Sequence, residues 1–212
     1  MTVPPRRRSE GPRGAARRSA AERRRQLLAE ARRVFAAQGY AATTPEQVAE
    51  AAGVTPAVLA RDFADKPALL AGLLDELRQA ALDRWPADAN AADPLARLHT
   101  AADLYLDLLG SRADDVRILH RLLTGEADEE ATAVLRAFAL ECEAFLSRII
   151  VEGQQSGVFR RSLDPRVGAW QLIQTAVGYT LSRPLAPPLY AEAGYAPRAV
   201  ECLLHCLLKT DV

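Results

Sequence analysis

Apolar residues recur along this chain at three- and four-residue spacing, interrupted by short stretches of Gly, Pro, Asp and Thr. That period marks helices with one buried face. Leu27, Ala31, Val34 and Phe35 predict a first helix from about Ala20 to Gln38, closed by Gly39. Thr44, followed by Pro45 and then by Gln47, reads as a helix start whose orphan amides find acceptors. Gly53 ends that helix, and Thr55-Pro56 begins another through Asp62 to Phe63. Val48, Val54, Leu59 and Phe63 are the apolar members of this pair, while Ala49 and Ala52 are small enough for close crossing. Two short helices across a glycine turn make either a helix-turn-helix or an ordinary αα-hairpin, and the bare pattern fits both.

The same punctuation continues downstream. Asp65 caps a fourth helix carrying Leu69, Leu70, Leu73, Leu74 and Leu77, which exits near Trp85-Pro86. ADANAADP is a linker by composition, and Asp93-Pro94 opens a helix with Leu98, Ala102, Tyr105 and Leu109, stopped by Gly110. Ser111 and Asp114 open a shorter helix that ends near Gly125. A long one follows from about Asp128 to Gln155, closed by Gly157. Asp164-Pro165 starts the next, SRPLAPPLYAEAGYAP is a proline-rich connector, and a last helix runs from Pro197 to about Lys209. The expectation is an all-α protein of about nine helices. Its predicted parts are a disordered Arg-rich arm over 1–19, a three-helix head over 20–66, a linking helix over 67–85 and a larger helical domain over 86–212.

Charge changes the picture at one end only. The chain has 212 residues and a formal net charge of zero. Yet Arg6, Arg7, Arg8, Arg13, Arg17, Arg18, Arg23, Arg24 and Arg25 face only Glu10 and Glu22 near the N-terminus. A basic end on a neutral protein points to a polyanionic partner, nucleic acid above all. The arm reads either as a solubilising tail or as a strand of arginines for phosphates or the minor groove. No run is apolar enough to span a bilayer and the start lacks a signal peptide's apolar segment, so the expected location is the cytoplasm. Cys142, Cys202 and Cys206 make no disulfide framework. Cys202, His205 and Cys206 share part of a helical face, which suits a metal or redox role, but the leucines around them favour plain burial. No metal and no cofactor is expected. Hydrolase, P-loop, dinucleotide and zinc-protease signatures are all missing, which argues against an enzyme.

The phrases FAAQGYAATT, VAEAAGV and LARDF, with Lys66 ahead of Ala68-Leu69-Leu70, make the block from Arg24 to Leu77 resemble the DNA-binding domain of TetR-type transcriptional repressors. IIVEGQQSGVFRRSLDP and the two helices after it resemble, more loosely, that family's ligand-binding and dimerisation half. The resemblance implies a homodimer on double-stranded operator DNA, released by a small-molecule inducer. It places DNA contacts on Thr43, Thr44, Pro45, Thr55, Pro56, Ala57, Val58, Arg61, Asp62 and Lys66. It implies a dimer seam from the last two helices, with Trp170, Ile173, Val177, Leu203, Leu204 and Leu207 expected there or in the monomer core. A cavity among the C-terminal helices, with Trp85, His99, Tyr105, His120, Phe138, Cys142, Trp170 and Gln174 as candidate lining, would take an apolar or amphipathic ligand; for each of these, simple core packing is the alternative. Three positions depart from the family's pattern. Ala60 stands where an aromatic residue usually touches the backbone, and Asp62 and Glu46 bring carboxylates near phosphates. Asp62 therefore reads a cytosine, pairs with a neighbour such as Arg61, or weakens binding. A helical ligand-binding dimer with a degenerate head is the rival reading.

Overall fold

Where an Asp or Thr precedes a run of helical period, a helix starts. In the computed structural model Thr44 forms a full capping box, its hydroxyl accepting from the Gln47 amide and the Gln47 side chain accepting from the Thr44 amide. Asp65, Asp93, Asp128 and Asp164 each accept from backbone amides of the first turn that follows. Such caps satisfy donors that a helix end otherwise leaves orphaned.

The structure describes residues 12–85, 93–192, 194–205, 207 and 208, with side chains from residue 20 onward apart from Pro184 and Pro187. Ten α-helices lie among them: α1 (Pro12–Gln38), α2 (Pro45–Ala51), α3 (Pro56–Asp62), α4 (Lys66–Leu82), α5 (Pro94–Ser111), α6 (Ala113–Arg121), α7 (Glu129–Gln155), α8 (Pro165–Ser182), α9 (Pro187–Ala191) and α10 (Tyr195–His205). Several boundaries differ from the expectation. Helix α1 begins at Pro12, so the second half of the expected arm is helical backbone, while 1–11 fall outside the described residues. Gly110 does not stop α5, which runs one residue further and breaks at Arg112. The connector after α8 is not plain coil. It holds a 3-10 turn, Arg183–Leu185, and the short α9. The linker 86–92 lies outside the described residues.

Two apolar cores result. The first joins α1 to α4 through Leu27, Phe35, Val48, Leu59, Leu69 and Leu70, and continues into Ile118, Leu122 and Ala131 of the following helices. The head thus shares its core with α6 and the start of α7. The second gathers Leu98, Ile149, Ile150, Phe159, Ala169, Leu204 and Leu207. Phe159, on the turn after α7, lies so close to Gly153 that a Cβ there would meet its ring at 2.0 Å. Arg160 donates its amide to the Leu207 carbonyl at 3.2 Å, pinning the chain's end to that turn.

An ion-paired knot also ties α1 and α4 to α6. Arg32 of α1, largely buried, bonds Glu76 of α4 at 2.7 Å and Asp115 of α6 at 2.6 Å. Arg121 reaches from α6 to the Gln38 carbonyl at 3.3 Å and pairs with Glu126. Gly39, at φ +93°, leaves room for that pair: a Cβ there would lie 2.5 Å from both side chains.

Candidate nucleic-acid interface

Helices α2 and α3 present an outward face because their anchors are fixed inward. Val48 and Ala49 of α2 are fully buried, as are Leu59 of α3 and Phe63 just after it. Gly53, at φ +67°, turns the chain between them, and Val54 returns its amide to the Ala49 carbonyl at 3.0 Å. Only glycine adopts that backbone cheaply. With Leu59 inward, Thr55, Pro56, Ala57, Ala60 and Arg61 are exposed and Val58 is half-buried. The Thr55 hydroxyl makes no capping bond, unlike that of Thr44. Arg61 forms no hydrogen bond or ion pair with the described residues, so its guanidinium fork is unoccupied. An α3 of this shape fits the width of a B-DNA major groove, with one Arg fork for guanine edges and small apolar groups for thymine methyls.

The start of α2 stands beside it. Thr44 and Glu46 are exposed and Pro45 is half-buried. The Glu46 carboxylate is held below its usual pKa by a hydrogen bond from its own backbone amide and by Thr44. Thr43 is placed differently from the expectation. It is 2% exposed, and its hydroxyl donates to the Gly39 carbonyl at 2.6 Å, so it braces the turn instead of facing outward. Lys66 is half-buried, with its ammonium 3.2 Å from the Tyr40 carbonyl and 4.3 Å over the Tyr40 ring. One bond still leaves that ammonium two donors for a phosphate.

Asp62 points to a partner that the sequence did not single out. Arg23 of α1 grips it with two bonds, Nε to Oδ2 at 2.6 Å and Nη2 to Oδ1 at 3.1 Å. Arg24 donates to the Asp62 carbonyl at 3.1 Å and lays its guanidinium 4.2 Å over the Phe63 ring. The Arg23 bonds hold the Asp62 carboxyl below the usual range, and Asp62 in turn raises Arg23. The end of α3 is therefore clamped to α1, and its carboxylate is paired directly with Arg23, not with Arg61. The signal available in the sequence was the Arg23-Arg24-Arg25 run one helix away; its pairing was not readable.

The candidate cavity residues have different surroundings in the described structure. Trp85 meets Phe145 edge-to-face at 5.3 Å and lines a cleft of roughly 240 Å³ with Leu82, Arg97, Phe145 and Arg148. Phe138 instead packs against the head's core. His99 faces Glu201 at 3.5 Å. The Tyr105 hydroxyl bridges to the Ala176 carbonyl and Thr180 on α8. Burial pushes the Cys142 thiol up, which keeps it protonated. His120 and Trp170 are half-buried, and Gln174 is exposed and bonded to Gln171.

The expected seam divides as well. Leu204 and Leu207 belong to the second core, 2% and 4% exposed, and are not free to pair with another copy. Trp170, Ile173, Val177 and Leu203 keep partial exposure, and Val167 at the start of α8 is 54% exposed. Among the described residues no group of three metal-ligating side chains forms; Cys206 lies outside them. No described helix is long and apolar enough to cross a membrane.

Residues 27–73 match the family described as bacterial regulatory proteins, tetR family. No curated protein matches the chain. Among solved structures, the chain is similar to NalD of Pseudomonas aeruginosa, the secondary repressor of the MexAB-OprM multidrug efflux pump, at 21% identity over 91% of this chain and 100% of that one, with a TM-score of 0.71. It is similar to the fatty acid degradation regulator FadR of Bacillus halodurans at 21% identity over 93% and 97%, TM-score 0.69. FadR of Bacillus subtilis in complex with stearoyl-CoA matches at 21% identity over 84% and 96%, also at 0.69. At such identity the likeness is one of fold.

Proposed function

We propose that this chain, whose residues 27–73 match the tetR family of bacterial regulatory proteins, is a homodimeric repressor that grips a palindromic operator with two copies of α3 and lets go when a small apolar or amphipathic molecule enters the C-terminal helices. The observation that carries the reading is the outward face of α3, with Leu59 buried beneath exposed Pro56, Ala57, Ala60 and Arg61. Arg61 supplies base readout through its fork; Thr44, Thr55 and Lys66 hold phosphates; Pro45, Ala57 and Val58 add apolar contact. The Arg23 grip on Asp62 supports the reading, since it cancels the carboxylate that would repel a phosphate.

Two copies are needed because helix-turn-helix units read half-sites about 34–36 Å apart, or multiples of that. The half-buried Trp170, Ile173, Val177 and Leu203 supply the pairing surface. The ligand acts through the shared core and the Arg32 knot, which connect α6 to the head's first helix. The complex of Bacillus subtilis FadR with stearoyl-CoA favours an amphipathic ligand.

Selection of duplexes from a random pool, at about 150 mM salt to suppress non-specific phosphate binding, tests the proposal. The expected product is an inverted repeat whose enrichment is lost with Arg61→Ala. No enrichment of any sequence would leave a ligand-binding dimer with an inert head, the reading that Ala60 and Glu46 favour.

A further inference from the structure

We propose that the cleft between the end of α4, the first turns of α5 and the middle of α7 is a binding site for a small organic carboxylate with an aromatic ring or short aliphatic chain. The inference rests on the reading of the C-terminal helices as ligand-binding and gives that ligand its chemistry.

Arg97 carries it. An arginine in the first turns of an amphipathic helix ordinarily points to water, yet this one is 8% exposed. One nitrogen, Nη1, donates to the Glu152 carboxylate. Its Nε is buried and has no partner at all. A buried donor left unmade costs free energy, more so when it belongs to a cation. The edge of a guanidinium that carries Nε and Nη2 presents two parallel N–H groups, the spacing of the two oxygens of a carboxylate. Glu152 occupies Nη1, and the Arg97 side chain lines the cleft.

The rest of the lining matches the remainder of such a molecule. Trp85 and Phe145, in edge-to-face contact, and Leu82, an apolar side chain 45% exposed, make a hydrophobic wall. Arg148 stands at the exposed rim and makes no ion pair with the described residues. Two arginines against the single Glu152 leave one net positive charge, which a monoanion balances. A neutral apolar ligand would keep Nε orphaned, and an inorganic anion would leave the aromatic wall unused. The volume of roughly 240 Å³ falls below the usual range of about 300–1,000 Å³ for drug-sized ligands. It accommodates a single ring or a short chain rather than a long acyl group.

Calorimetric titration of the full chain with benzoate and hexanoate, against their neutral amides benzamide and hexanamide and against inorganic phosphate, tests the site. The expected result is saturable binding of one acid per chain, with its amide at least about 10-fold weaker, the scale of a lost charge-assisted bond, and no heat from phosphate. Arg148→Gln, at the exposed rim, weakens the acid several-fold and leaves the amide unchanged. Because Arg97→Gln alone strands the Glu152 charge, it is made together with Glu152→Gln, and that pair removes the preference for acid over amide while a thermal melt confirms folding. Equal affinity for acid and amide, a preference that survives both variants, or no binding by either acid overturns the proposal. Binding to selected duplexes is measured on the same protein without ligand. Absence of an acid preference in the parent chain then overturns this site alone, and failure on DNA overturns the repressor reading alone.

Discussion

Asp62 shows what one carboxylate does at the end of a short helix. Its charge is stabilised by Arg23, so its folded pKa lies below the unfolded value. A group depressed in this way adds stability above its unfolded pKa of about 3.9, and loses it as pH falls through the lower folded value. Asp62→Asn should therefore be less stable than the parent in urea at neutral pH, with the difference vanishing as pH falls through the folded value. On DNA the change runs the other way: with the carboxylate gone and Arg23 released, affinity rises and the salt dependence steepens. Arg61→Ala should lower affinity for the selected operator about 10-fold while sparing non-specific duplex, the pattern expected of a base contact. At this scale the sequence was legible where interactions are local. Thr44, Asp65, Asp93 and Asp164 were readable as caps because each bonds amides within three residues. The partner of Asp62 lies 39 positions away, a distance that no periodicity reports.

Among the elements, the turn from α7 into α8 depends on a glycine. Gly153→Ala drives a methyl into the Phe159 ring. Since Phe159 is fully buried in the second core, it must leave it or push α7 aside. Overpacking of this kind costs about 1–3 kcal/mol, read as a lower urea midpoint with little change in DNA binding by α3. Helix periodicity told which residues of α10 and the turn after it are apolar but not what they pack against. Leu203, Leu204 and Leu207 carry the same apolar signal, and only the fold separates the two that enter the monomer core from the one that keeps a partly open face. The prolines between α8 and α10 read as a connector, yet proline suits the first position of a helix, and α9 starts on one.

The whole molecule holds two cores, and within the first an ion-paired knot ties α1 and α4 to α6. Asp115 is 4% exposed and depends on Arg32, so Arg32→Ala leaves a buried carboxylate without its closest cation. Breaking a buried pair from one side costs on the order of 3–5 kcal/mol, and in this molecule it also loosens α1 from α6. Thermal unfolding should then split into separate steps for the head and the C-terminal helices. Removing residues 1–19 should flatten the plot of log affinity against log salt by about 0.9 for each phosphate that the arm would have neutralised; an unchanged slope would assign them no part in binding. The most direct test of paired reading heads is a hydroxyl-radical footprint of the full chain on the selected operator. The account predicts two protected patches on one face of the duplex, about one helical turn or a whole multiple of it apart, both abolished by Arg61→Ala. A single patch, or protection that survives Arg61→Ala undiminished, would contradict it.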